Sequence, residues 1–126
     1  MIRKIEEIKT VVTNFTIHRL EWISDFHLHG IHNKYFELVS TLDITFLLNE
    51  NETTYELCIR FSDIEALRFE SGGMLTQISG FNINSLKENG YHPLKYEIED
   101  YENGIIHFYC SDIEFLSLVE SEYLVI

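Results

Sequence analysis

Over much of this chain hydrophobic side chains recur at every second position, the period of a strand with one face buried. The clearest run is Tyr35–Leu48, where Phe36, Leu38, Leu42, Ile44, Phe46 and Leu48 alternate with Glu37, Thr41, Asp43 and Thr45. Its length predicts a bend or bulge near Ser40. The polar turn Asn49–Glu52 leads into Tyr55–Phe61, with Tyr55, Leu57, Ile59 and Phe61 apolar. Pairing Phe46 with Tyr55 and Ile44 with Leu57 keeps both apolar rows on one face.

A second hairpin is written in Tyr96–Cys110. Tyr96 and Ile98 form one apolar row, and Ile106, Phe108 and Cys110 form the other, with Asn103-Gly104 as the turn signal. A two-residue loop would put the rows on opposite faces. A three-residue loop, Glu102–Gly104, pairs Ile98 with Phe108 and Tyr96 with Cys110 on one face. Burial therefore predicts the three-residue loop, with Gly104 left-handed and a bulge. On that register Glu97 and Glu99 point outward together, and His107 stands opposite Glu99.

Phe61–Leu67, FSDIEAL, echoes Cys110–Leu116, CSDIEFL, at five of seven positions. In both, a strand reaches Ser-Asp, turns and resumes, because Ser and Asp side chains bond nearby backbone N–H groups. The same turn chemistry used twice accounts for the echo, with internal duplication as the alternative. Elsewhere, Ile2, Ile5, Ile8 and Val12 predict a short helix to about Lys9. Phe15–Ile23 and Phe26–Ile31 read as strands separated by Ser24-Asp25. Gly72-Gly73 turns the chain, Met74–Ile83 reads as a strand kinked at Gly80, and Asn84 as the cap of a helical turn over Ser85–Asn89. Tyr123–Ile126 reads as a last edge strand. The expectation is a single domain over 1–126 that is mainly β: an antiparallel curved sheet, sandwich or open barrel of seven or more strands with a short N-terminal helix.

Composition narrows the function classes. The 126 residues carry a net charge of −12. That argues against binding nucleic acid or an anionic membrane, because phosphate contacts need Lys and Arg. It favours a basic protein partner, which the field would attract, against plain solubility. Met1–Lys4 leads into charge rather than an apolar signal segment, and no apolar run reaches the roughly 18 residues of a membrane span. Cys58 and Cys110 fall on opposite strand faces and are expected to be free thiols, as in the cytoplasm.

Candidate chemistry is sparse. The sequence has no G-x-S-x-G, P-loop, C-x-x-C or H-E-x-x-H pattern, so neither an enzyme nor a cofactor is expected. The outward hairpin residues Glu97, Glu99, Tyr101, Glu102 and His107 are the candidate binding residues, with a solvated acidic face as the plain reading. Tyr35 and Tyr91 are further candidate interface anchors. The alternative is a metal- or small-ligand-binding domain. His27 and His29 share one strand face and offer two ligands, and His32 joins them if the chain bends at Gly30.

Asp25–Ile31, DFHLHGI, the paired strands after it, Phe61–Ile64 and the Asp100–Cys110 segment together resemble small, mostly uncharacterised bacterial proteins. Some of these are grouped with immunity proteins of polymorphic toxin systems. The resemblance implies a bacterial, β-rich, single-domain protein that binds and neutralises a toxin; separately, the apolar end Tyr123–Ile126 could pair with a copy of itself, so both monomer and homodimer stay open. With this charge the toxin would be basic. The resemblance supplies no functional residues.

Overall fold

The alternating rows become strands whose apolar sides face a common interior. The computed structural model describes residues 4–86 and 95–121. Among these are a one-turn helix α1 (Glu6–Lys9), a 3-10 turn (Ile17–Arg19) and nine strands. The strands are β1 (Trp22–His32), β2 (Leu38–Glu50), β3 (Thr53–Ser62), β4 (Glu65–Phe69), β5 (Thr76–Gln77), β6 (Phe81–Ser85), β7 (Tyr96–Asp100), β8 (Ile106–Cys110) and β9 (Asp112–Glu120). They form two antiparallel sheets, β5-β1-β2-β3-β9 and β4-β8-β7-β6, and no closed barrel.

One core contains the inner rows of both sheets: Leu42, Ile44, Phe46, Leu57, Ile59 and Phe61 from the first, and Phe81, Ile83, Ile98, Ile106, Phe108 and Cys110 from the second. Aromatic rings join them across the interior. Phe61 meets Phe108 edge-on at 5.1 Å, and Phe46 meets Phe81 at 5.0 Å. Each fully buried Phe contributes about 1.5–3 kcal/mol of transfer free energy. Ile8 of α1 and Val12 after it are buried in the same cluster, so the helix covers part of the core.

The Tyr96–Cys110 hairpin has the expected register, Tyr96 opposite Cys110 and Ile98 opposite Phe108, with Gly104 at φ +64°. The ladder stops earlier than a three-residue loop would need. Asp100 turns into the core, and its Oδ1 accepts the Ile106 N–H at 2.8 Å in place of a ladder bond. The Asn103 and Gly104 amides donate to the Asp100 carbonyl.

The two Ser-Asp segments are corners at which the chain changes sheet, from β3 to β4 and from β8 to β9. They lie antiparallel beside each other as one continuous ribbon, with Phe61 opposite Ile113, Ser62 opposite Asp112 and Glu65 opposite Tyr109. The Ser111 amide donates to the Ser62 carbonyl at 3.0 Å. Under the sequence echo, Arg60↔Glu114 and Glu65↔Tyr109 are equivalent pairs, so an approximate two-fold relates the copies. Ser40 of β2 fastens the first corner, its carbonyl accepting the Asp63 and Ile64 amides.

Several expectations are corrected. Most of Phe15–Ile23 is not a strand: it holds the 3-10 turn, Trp22 and Ile23 already belong to β1, and Ser24-Asp25 is a bulge inside β1 rather than a break. The bend or bulge expected near Ser40 is not there: β2 pairs with β1 in unbroken register through Gly30 and Ser40. Phe46 pairs with Leu57 and Ile44 with Ile59, two residues from the expected register but on the same face. A two-residue turn sets this, with Asn51 and Glu52 at φ +48° and +67°. Tyr35 and Phe36 precede β2 in a turn. Gly80 is no kink within one strand: it separates β5 from β6, which lie in different sheets. Its φ is +70°, and a Cβ there would come within 2.7 Å of Tyr101 Cε1. Asn84 and Ser85 belong to β6 rather than to a helical cap. Leu86 follows the strand, its amide donating to the Lys95 carbonyl at 2.8 Å, while positions 87–89 of that expected turn, Tyr91 and the strand over Tyr123–Ile126 lie outside the described residues.

Candidate functional site

The strand period that builds the core also sorts polar side chains onto the two outer sheet faces. On the four-stranded sheet, Glu97 and Glu99 of β7 and His107 of β8 share the outer side. Glu99 stands directly across from His107, and Asn84 of β6 across from Glu97. His107 Nε2 donates to Glu97 Oε2 at 2.9 Å, and Asn84 Nδ2 donates to Glu97 Oε1 at 3.3 Å. The hydrogen bond from His107, with others from Asn84 and Tyr109, outweighs partial burial and holds the Glu97 carboxyl below its ordinary value. The Tyr109 ring stands edge-on to His107 with centroids 5.2 Å apart.

Three of the five candidate binding residues therefore converge, and two do not. Tyr101 and Glu102 sit in the turn after β7. Tyr101 is exposed with one edge over Gly80, and Glu102 Oε2 accepts the Ser79 hydroxyl at 2.9 Å.

On the five-stranded sheet, Asp43 of β2 is the hub of the outer face. Arg60 of β3, directly opposite, binds it through two nitrogens at 2.8 and 2.9 Å. His29 of β1 donates to Asp43 Oδ2 at 2.9 Å. Burial pushes the Asp43 carboxyl up, but the bonds and charges of Arg60 and His29 together outweigh it and hold it below its ordinary value. His27 and His29 do share a face, with rings edge to face at 4.6 Å. His32 does not join them. β1 runs through Gly30 without a bend, so His32 falls on the opposite side. Among the described residues, the group whose ligand atoms converge is Glu97, Glu99 and His107, and not the β1 histidines. Burial raises the half-buried Cys58 thiol above its ordinary value and the buried Cys110 thiol to about 12, so neither is a ready nucleophile.

Apart from Tyr35, which the sequence offers as an interface anchor, nothing along the chain marks the far end of the β1–β2 hairpin as exposed. Leu28 and Leu38 continue the core-facing row of Leu42 and Ile44, but here the second sheet does not reach. Leu38 lies against Gly30, where a Cβ would meet its Cδ1 at 2.6 Å. At the tip, Asn33 Oδ1 accepts the Tyr35 and Glu37 amides at 2.8 and 3.1 Å, and the Phe36 amide bonds the Asn33 carbonyl. This pinned turn holds Phe36 at φ +62° with 88% of its surface exposed. Leu38, Tyr35 and Leu28 are also more than half exposed. Alternation in the sequence placed Phe36 and Leu38 inside, because it cannot show where the opposing layer ends.

Of the clefts among the described residues, one of about 360 Å³ opens beside the β1 bulge, lined by Asp25, Phe26, Phe69, Met74 and neighbours. It is wide open, and Phe26 and Phe69 stack at its edge with centroids 4.1 Å apart. Among the described residues no helix is long and apolar enough to cross a membrane. Comparison with protein-family models, curated proteins and solved structures finds no match for the chain.

Proposed function

We propose that this protein is a non-enzymatic, cytoplasmic protein-binding module of the immunity-protein kind, which docks on a basic partner through the end of the β1–β2 hairpin. One observation carries the reading: Leu28, Tyr35, Phe36 and Leu38 form an exposed apolar surface on a turn held by side-chain hydrogen bonds. Exposed apolar patches on ordered backbone mark interaction sites, and rigid aromatic anchors lose little entropy on docking. A non-glycine residue at positive φ stores strain that packing does not repay here, since Phe36 has almost no neighbours to pack on. The net charge of −12 supplies long-range attraction to a basic surface.

The test is retention of proteins from a bacterial lysate on immobilised wild type and on a Tyr35→Ser/Phe36→Ser variant, at low and moderate salt. A basic protein held by the wild type, weakened by salt and lost on the variant supports the proposal. Equal retention by both, or none by either, overturns it.

A further inference from the structure

Glu97, Glu99 and His107 bring one ligand atom each within 4.8 Å of one another on the outer face of the four-stranded sheet. We propose that these three side chains form a binding site for a divalent transition-metal ion of the zinc class, distinct from the hairpin surface.

The donor set is mixed, one imidazole nitrogen and two carboxylate oxygens. Imidazole selects first-row transition metals over magnesium and calcium, which prefer oxygen alone. Three protein ligands with a fourth position open to solvent is the arrangement that zinc takes in sites carrying a water. All three residues are part-buried, which leaves that fourth position accessible.

The placement is fixed by backbone rather than by loops. Glu97 and Glu99 are two apart on one strand, and His107 is the cross-strand partner of Glu99 in an unbroken ladder. Tetrahedral ligands at 2.0–2.2 Å from zinc stand roughly 3.3–3.5 Å apart. His107 Nε2 and Glu97 Oε2, now 2.9 Å apart, would separate slightly as Nε2 gives its proton to solvent and turns its lone pair to the ion, and the Glu99 oxygen, within 4.8 Å of both, would move in to complete the set.

Hydrogen bonding within the set is uneven. Glu97 already has His107 and Asn84, and Asn82 in turn donates to Asn84 at 2.7 Å. These asparagines would orient a bound carboxylate as outer-shell groups do in metal sites. Glu99 has no hydrogen-bond or ion-pair partner among the described residues, although it sits beside a second carboxylate. Two neighbouring carboxylates against one imidazole leave an excess of negative charge that a dication neutralises.

The test is calorimetric titration of the intact protein with zinc chloride, repeated on Glu99→Gln, His107→Ala and His29→Ala. The expected result is one ion per chain, with affinity at least tenfold weaker in Glu99→Gln and in His107→Ala and unchanged in His29→Ala. The His107 imidazole resonances should shift on zinc addition in nitrogen-correlated NMR, which separates this site from the β1 histidines without any substitution. Absence of binding by the wild type at millimolar zinc overturns the proposal. So does binding that survives His107→Ala, or that moves only the His27 and His29 resonances.

Discussion

Asp100 is fully buried, and its two oxygens are in different circumstances. Oδ1 accepts the Ile106 amide at 2.8 Å, while Oδ2 has no hydrogen-bond partner among the described residues. Replacing Asp100 with Ala leaves the amide of a buried residue unsatisfied, which costs about 1–3 kcal/mol. Replacing it with Asn keeps the accepting oxygen and removes the burden of an unpaired buried oxygen of a carboxylate, at the risk of an unpaired amide donor. Asn is therefore expected within about 1 kcal/mol of the wild type, and Ala well below both. Urea unfolding followed by circular dichroism reads the difference. With an m-value of about 1.5 kcal/mol/M, the Ala midpoint should fall by about 0.7–2 M with the slope unchanged. An Ala variant as stable as the wild type would show that the Ile106 amide finds another acceptor, and that the carboxylate does not hold the turn. An Asn variant as unstable as Ala would show instead that the charge itself is required.

Three other outcomes follow from named contacts. Gly80→Ala should cost about 1–2 kcal/mol in the same urea assay, because the left-handed backbone resists a Cβ and the Tyr101 ring stands 2.7 Å from it; adding Tyr101→Ala should recover only the contact share. The Asp43 carboxyl is held below its unfolded value, so its stabilising contribution is present above about pH 4 and is lost as pH falls through the folded-state value; Asp43→Asn should cost about 1–2 kcal/mol at pH 7, and its acid unfolding curve should approach that of the wild type near pH 2. Phe36→Gly should leave thermal stability unchanged or raise it by up to about 1 kcal/mol while abolishing partner retention; a large loss of stability would mean that the ring packs rather than docks.

The parts of the fold legible in the sequence are those set by side-chain alternation and burial. Burial rules out every register that splits Ile98, Phe108, Tyr96 and Cys110 between two faces, the Asn103-Gly104 turn selects among the rest, and the structure has the register so chosen. The Phe46 register was off by two because both alternatives bury the same row. What decided it was the left-handed pair Asn51-Glu52, and Glu is an unusual residue for that conformation. Gly80 was legible as a kink inside one strand but not as the place where the chain changes sheet, because nothing along the chain shows that β5 and β6 pair with different neighbours. Of the sites, the Glu99–His107 pair followed from register alone. The Asp43 hub did not, because nothing along the chain marks Arg60 as its partner. The exposed hairpin end was hidden by its own regularity, for Leu28 and Leu38 repeat the core pattern beyond the place where the core stops.

The paired Ser-Asp corners constrain how the chain reaches this state. The Ser62 carbonyl and the Ser111 amide that meet there are 49 residues apart, and every strand of the four-stranded sheet lies between them. Closing a flexible loop of that length costs about 3.5 kcal/mol in the length-dependent part of its entropy alone. Until it closes, β9 has no place beside β3 and β4 none beside β8, so each sheet lacks an edge. Joining the two sheets at the corners thus rests on pairings distant in sequence, and a chain that relies on such pairings is expected to fold more slowly than one built from local hairpins alone.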